Sequence, residues 1–297
     1  MKVGVIGLGT MGTPMAENLL LKGFEVVVHN RTREREEPLA NKGARRAESP
    51  QALAREVDVV LTSVSDTHDV EAVLLNDRSA AIHGLRNGSL VVDTSTISPD
   101  GARRIAEALC AKGSGFVDAP VSGGSEGAIK ASLAIMCGGT KEDFERALPV
   151  LQAIGGRITR VGPSGCGQIA KAVNQVIIAG TYQSVAEGLV LAFKCGADPA
   201  KVIEAIKGGA AASWILENRA GNMQNDRYPL GFRVRLHRKD LAIALAAARA
   251  AQVPLPVASF IATMEDALIA LGHGDEDVSA LARIVRTGAA VPDGPMT

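Results

Sequence analysis

The chain has 297 residues, 46% hydrophobic and 22% charged, a balance that supports a packed core and excludes a disordered or fibrous chain. Lysine plus arginine and aspartate plus glutamate both total 32, so no net field draws the protein to nucleic acid or an anionic membrane, and no basic run creates one locally. The four cysteines (Cys110, Cys137, Cys166, Cys195) form no CxxC or Cys/His pattern, and the first residues enter a strand pattern directly, with no room for a signal peptide; the expectation is a reduced, cytoplasmic protein without a metal site.

Short β-branched runs open the chain and recur at Lys2–Ile6, Glu25–Val28, Asp58–Leu61, Leu90–Asp93 and Gly115–Asp118, with further strands at Ser132–Cys137 and Arg157–Val161. Helix-period segments such as Met11–Lys22, Asp66–Leu75 and Pro99–Lys112 separate them. Uniformly apolar strands alternating with helices predict an α/β fold with a mostly parallel sheet covered on both faces. After Gly162 strand signals nearly vanish. Ala-rich helices are expected at 167–195, 199–207, 213–224, 236–251, 255–271 and 277–287. The Pro/Gly punctuation at Val161–Gly165 places a domain boundary between 162 and 163. The run 172–195 contains Asn174, Gln175, Gln183, Glu187 and Lys194, and is expected to fall short of a membrane span.

Gly7, Leu8, Gly9, Thr10, Met11 and Gly12 form a GxGxxG turn directly after a strand and at the head of a helix. Gly7 permits the tight turn, Gly9 the approach of a pyrophosphate, and Gly12 close helix–sheet packing; free N–H groups at the helix start then face the phosphates. The second strand ends in Asn30, Arg31 and Thr32, where an NAD-selective site usually carries an acidic residue. A guanidinium can grip a 2′-phosphate that a carboxylate would repel, so NADP(H) is favoured and NAD(H) remains possible. Arg31 as a solvated loop residue is the alternative, and Arg33 and Arg35 are open to either role. Ser65 and Thr96, at two further strand ends, suit cofactor contacts, whereas Ser98 before Pro99 reads as a helix cap.

Ser122, Gly123 and Gly124 follow a strand and could present a hydroxyl and backbone N–H groups to a substrate carboxylate, or form a plain turn. Lys171 is the only charged residue between Arg160 and Glu187. It shares a helix face with Gln168 and Asn174. It could protonate a carbonyl oxygen and stabilise the alkoxide, or snorkel from a helix end. Residues 231–241 mix Phe232 with clustered charge. Lys239 could reach the cofactor, and Asp240 could hold a helix N-terminus or pair with Lys239 or Lys171; by residue types alone the patch reads as a solvated helix start.

GLGTMG, VDTST, DAPVSGG, GCGQIAKAVNQ and HRKDL, in that order, resemble the β-hydroxyacid dehydrogenase family related to 3-hydroxyisobutyrate dehydrogenase, over nearly the whole chain. Finer features, including Asn174-Gln175 and Gly208–Ser213, resemble its tartronate semialdehyde reductase (2-hydroxy-3-oxopropionate reductase) branch. The resemblance implies a Rossmann-type doubly wound sheet, then an all-α C-terminal domain entered by a long interdomain helix and used for homo-oligomerisation, as a dimer or tetramer. It implies Lys171 as the catalytic lysine, a substrate carboxylate on Ser122, Gly123 and Gly124, and cofactor contacts from Thr96 and Lys239. Asn174, Phe232 and Asp240 would line or support the site. The implied reaction is NAD(P)H-dependent reduction of a small aldehyde acid, tartronate semialdehyde to D-glycerate first. Methylmalonic semialdehyde (giving 3-hydroxyisobutyrate), succinic semialdehyde and glyoxylate are the alternatives, and a non-catalytic dinucleotide-binding module is the alternative of another class. Two departures stand out: many members carry Asn-Asn at 174–175, and Trp214 stands where a smaller or charged residue is expected near the substrate pocket.

Overall fold

The computed structural model describes residues 1–296. Its strands are β1 (Lys2–Ile6), β2 (Glu25–His29), β3 (Arg45–Arg46), β4 (Val59–Thr62), β5 (Leu90–Asp93), β6 (Gly115–Asp118), β7 (Val121–Ser122), β8 (Leu133–Gly138) and β9 (Gly155–Gly162). Between them lie α1 (Gly12–Leu21), α2 (Glu37–Ala40), α3 (Pro50–Glu56), α4 (Thr67–Glu71), α5 (Pro99–Cys110), α6 (Gly124–Ile129) and α7 (Lys141–Ile154). Then follow α8 (Cys166–Lys194), α9 (Pro199–Ile206), α10 (Trp214–Gln224), α11 (Val234–Ala250), α12 (Pro256–Ala270) and α13 (Leu281–Gly288).

By its contacts the chain divides into two compact units, Met1–Lys171 and Ala172 onward, the division falling inside α8. In the first unit the strands lie in the order β3-β2-β1-β4-β5-β6-β8-β7, with β9 beside β8. The first six of these are parallel; β8 runs antiparallel to β6 and β7 and parallel to β9. Period-2 alternation sorts the apolar side chains onto opposite faces. Val3, Val5, Val26, Val28, Val59, Leu61, Leu90 and Val92 join one core with Met15 and Leu19 of α1. Ile6, Val27, Val60, Val91 and Phe116 join a second with Leu53 of α3 and Ile105 of α5. This is why the strands read as continuous apolar runs: both faces are covered.

Most expected elements recur within a residue or two, α11 beginning at Val234 rather than at 236. The exceptions are α13, which begins at Leu281 rather than at 277 after a 3-10 turn, and the helix expected at Asp66–Leu75, where α4 ends at Glu71 and a π-helical turn follows. Sequence patterning missed α7, whose interior holds Pro149. It also missed the two-residue strands β3 and β7.

The second unit is helical. Ala179, Tyr182, Ala186, Leu189 and Val190 of α8 pack with Ile215, Leu216, Leu241, Ile261 and Leu268. The expectation that this run is too polar for a membrane span needs correction: by length and composition alone the 29-residue α8 qualifies, an 18-residue window within it having a mean hydropathy of 1.5. Its buried polar residues engage protein partners: Gln175 donates to Asp240, and Gln183 to Glu187.

Candidate active site

The strand order reverses between β1 and β4, and the carboxyl ends of strands beside such a reversal are where open α/β sheets hold ligands. The glycine turn sits there. Gly7 has φ +96°, and a Cβ on it would lie 2.3 Å from the Ser63 carbonyl oxygen. A Cβ on Gly12 would lie 1.9 Å from the Gly7 carbonyl oxygen. At Gly9 a Cβ would meet nothing within 4 Å. Two glycines are therefore demanded by the fold, while the third leaves open space above the backbone, which fits a pyrophosphate cradle.

Asn30 holds that turn. Its Oδ1 accepts from Leu8 N at 2.8 Å, and its Nδ2 donates to the Thr32 carbonyl at 2.8 Å. The fully buried Glu36 carboxylate accepts from Asn30 N at 2.8 Å and pairs with Arg33 at 2.8 Å and Arg46 at 2.7 Å. Arg33 also donates to the Ala47 carbonyl, so it is committed to the fold and not to a phosphate. Arg31 and Thr32 remain exposed at the end of β2, as does Arg35. Neither Glu36 nor Arg46 stood out in the sequence, because a carboxylate among five nearby arginines reads as a solvated charge run.

Around the ends of β4–β6 a buried polar network sets the loops. Thr62 donates to Asp93 Oδ1 at 2.7 Å, and Val64 N donates to Ser95 Oγ at 2.9 Å. Ser98 caps α5 as expected, accepting from Gly101 N. Thr96 is half-buried in this loop, and Ser65 is exposed on the neighbouring one. The Gln168 side chain clamps the loop to α8: Oε1 accepts from Ile97 N at 3.1 Å, and Nε2 donates to the Ser95 carbonyl at 2.9 Å. Asp118, at the end of β6, accepts from Gly165 N at 2.8 Å and Gln168 N at 3.0 Å, capping α8 from another strand. Gly138 and Gly167 make room for this, since a Cβ on either would lie 2.8 Å or less from an Asp118 carboxylate oxygen. Burial pushes both Asp93 and Asp118 up to about 6 against the hydrogen bonds they accept.

Lys171 lies one turn into α8 beyond this cap and is 6% exposed. Ser122 ends the edge strand β7, and Gly123 (φ +133°) and Gly124 (φ +63°) continue into α6 in conformations that favour glycine. The first unit thus carries the glycine turn, Asn30–Thr32, Ser65, Thr96, Ser122–Gly124 and Lys171 on its strand ends or the start of α8.

Within the second unit a further set converges. Asn174 Nδ2 donates to Gln175 Oε1 at 2.7 Å, and Gln175 Nε2 donates to Asp240 Oδ2 at 2.6 Å. Lys239 Nζ lies 3.1 Å from Asp240 Oδ1. His237, fully buried, pairs with Glu265 at 2.5 Å and stands edge-on to Phe232. The reading of residues 231–241 as a solvated helix start is therefore corrected. Asp240 is 3% exposed, lies inside α11 rather than at its N-terminus, and pairs with Lys239. Trp214, flagged beside the pocket, is 52% exposed with the Arg219 guanidinium 4.6 Å over its ring.

Known proteins resemble this chain over most of its length. Residues 2–162 match the family described as the NAD binding domain of 6-phosphogluconate dehydrogenase. Residues 165–285 match that described as the NAD-binding domain of NADP-dependent 3-hydroxyisobutyrate dehydrogenase. The chain is 39% identical to the 2-hydroxy-3-oxopropionate reductase of Escherichia coli (strain K12), over 95% of this chain and 96% of the other. It is 37% identical to the 3-hydroxyisobutyrate dehydrogenase of Pseudomonas aeruginosa, over 86% and 88%. The structure of the Mycobacterium tuberculosis 3-hydroxyisobutyrate dehydrogenase with L-serine superposes with a TM-score of 0.87 at 31% identity, covering 96% and 99%.

Proposed function

Because the chain belongs to the β-hydroxyacid dehydrogenase family, as an NAD(P)-dependent oxidoreductase, we propose that it reduces tartronate semialdehyde to D-glycerate, reversibly, with NADPH as the preferred reductant. The observation that carries the mechanism is Lys171: a nearly buried lysine, the only charge in 26 residues of sequence, on a helix whose start is fastened by Asp118 and Gln168. The identity to the Escherichia coli enzyme supports the substrate; the Pseudomonas aeruginosa relative favours methylmalonic semialdehyde as a second reading.

The glycine turn would hold the pyrophosphate, Arg31 and Thr32 the 2′-phosphate, and Ser65, Thr96 and Lys239 the rest of the cofactor. When bound, the nicotinamide supplies the hydride. Ser122 and the N–H groups of Gly123 and Gly124 take the substrate carboxylate. Protonated Lys171 hydrogen-bonds the carbonyl oxygen, stabilises the charge that develops there and releases a proton to it. Asn174 and Phe232 line the substrate, and Asp240 orients Lys239. A protein of this kind works as a homo-oligomer assembled through its helical unit.

NADPH consumption with tartronate, methylmalonic and succinic semialdehydes and glyoxylate tests the substrate. Lys171→Ala should lower kcat about 10²- to 10⁴-fold with the NADPH Kd unchanged. Near-wild-type turnover by that variant would overturn the mechanism, and no turnover of any aldehyde acid would leave a dinucleotide-binding module.

A further inference from the structure

We propose that Gln175 is a specificity-determining positioning residue: it fixes the direction of the Asn174 amide so that this position presents an acceptor and selects a substrate bearing a hydroxyl beside the reacting carbonyl. The inference rests on the reading above that Asn174 lines the substrate.

Asp240 sets the direction of both amides. Its Oδ1 lies 3.1 Å from the Lys239 ammonium, and its Oδ2 lies 2.6 Å from the Gln175 amide. A carboxylate accepts hydrogen bonds and cannot give them. The –NH₂ end of Gln175 must therefore face Asp240, because the reverse would set two oxygens 2.6 Å apart. Gln175 is fully buried, so solvent offers its amide no other partner. Its Oε1 is then the end that meets Asn174 at 2.7 Å, and an amide oxygen in turn demands a donor. Asn174 gives it Nδ2.

One direction thus runs along the whole chain, from Asn174 through Gln175 to Asp240. Asn174 is half-buried, and the end it keeps away from Gln175 is its carbonyl Oδ1. That oxygen has two lone pairs. It can serve a protonated Lys171, one helical turn earlier, and a substrate hydroxyl as well. A methyl or a hydrogen in place of the hydroxyl leaves its second lone pair without a donor.

The test compares three aldehyde acids that differ only at C2: 2-hydroxy-, 2-methyl- and unsubstituted 3-oxopropanoate. Wild type should favour the hydroxyl compound over the unsubstituted one by at least about tenfold in kcat/KM. Gln175→Met fills the space without polarity, so the Asn174 amide can turn, and the preference should fall to within about threefold. Gln175→Glu, sharing a proton with Asp240, still shows Asn174 only an acceptor and should keep the preference although it buries a second acid. A mere packing role would order the two variants the other way, with methionine close to wild type and glutamate worse. The inference is overturned if Gln175→Met keeps the wild-type ratio, or if Gln175→Glu loses it along with Gln175→Met. Should either variant fail to fold, the wild-type ratio decides: equal turnover of the three compounds overturns this inference and leaves the proposed function standing. Turnover of none of them removes both.

Discussion

The glycine turn shows how one residue type answers different demands. At Gly12 an added methyl runs into the Gly7 carbonyl oxygen at 1.9 Å, a backbone atom that cannot swing aside. At Gly9 it meets nothing. Gly12→Ala should therefore cost at least about 2 kcal/mol of stability, read from urea unfolding. Gly9→Ala should unfold like wild type and yet bind NADPH at least about tenfold more weakly by fluorescence titration, because its methyl fills the space the phosphates need. An unchanged Kd for Gly9→Ala would remove the pyrophosphate from this turn. Asn30 belongs to the same scale. Expected among the cofactor-binding residues, it holds backbone of the turn and the loop with both ends of its amide.

Strand ends and helix starts share a device: a buried acid that caps or braces the next element. Asp118 caps α8, and Asp93 takes Thr62 and Ser95 N on Oδ1 while its buried Oδ2 has no hydrogen-bond partner. That orphan oxygen is where a proton would sit, and burial raises Asp93 from 3.8 to about 6. The sign follows from linkage. A raised carboxyl stabilises the fold fully below its unfolded value near 4, and that contribution is lost as pH rises through about 6. Asp93→Asn keeps the acceptor for Thr62 and carries no charge. Relative to wild type it should gain about 2 kcal/mol of stability between pH 4.5 and 7.5, measured as the difference in urea unfolding free energies. A difference independent of pH would show that Asp93 does not titrate in this range. The capping of α8 was not legible beforehand. DAP reads as a loop after a strand, and GCGQ as a helix start without a capping side chain, since the cap comes from 47 residues earlier.

At the scale of the molecule, cofactor choice is measurable as stability. A ligand that binds only the folded chain raises its unfolding free energy by about 1.4 kcal/mol for each tenfold gain in affinity at saturating concentration. With Arg33 and Arg46 tied to Glu36, the proposed preference for a 2′-phosphate falls to the exposed Arg31, with Arg35 the other exposed guanidinium beside it. NADPH should raise Tm more than equimolar NADH in a calorimetric scan, and Arg31→Ala should bring the two shifts together. Equal shifts in the wild type would refute the NADPH preference.

The alternation of apolar runs with helical periods, the glycine turn and the Ala-rich second half were legible because each is a local property: side-chain period, backbone freedom or intrinsic propensity. They sufficed for the α/β sheet, the helical second unit and the motif order. Pairings that give the polar residues their roles were not. Asn30 meets Leu8 N across 22 residues, Asp118 meets Gly165 N across 47, and Gln175 meets Asp240 across 65. At such separations a hydrogen-bond partner is chosen by how packed elements bring their ends together, and no local pattern encodes that choice. Tertiary structure alone therefore decided that Arg33 is bound to the fold, that Asp240 is buried, and which end of Asn174 faces away from Gln175.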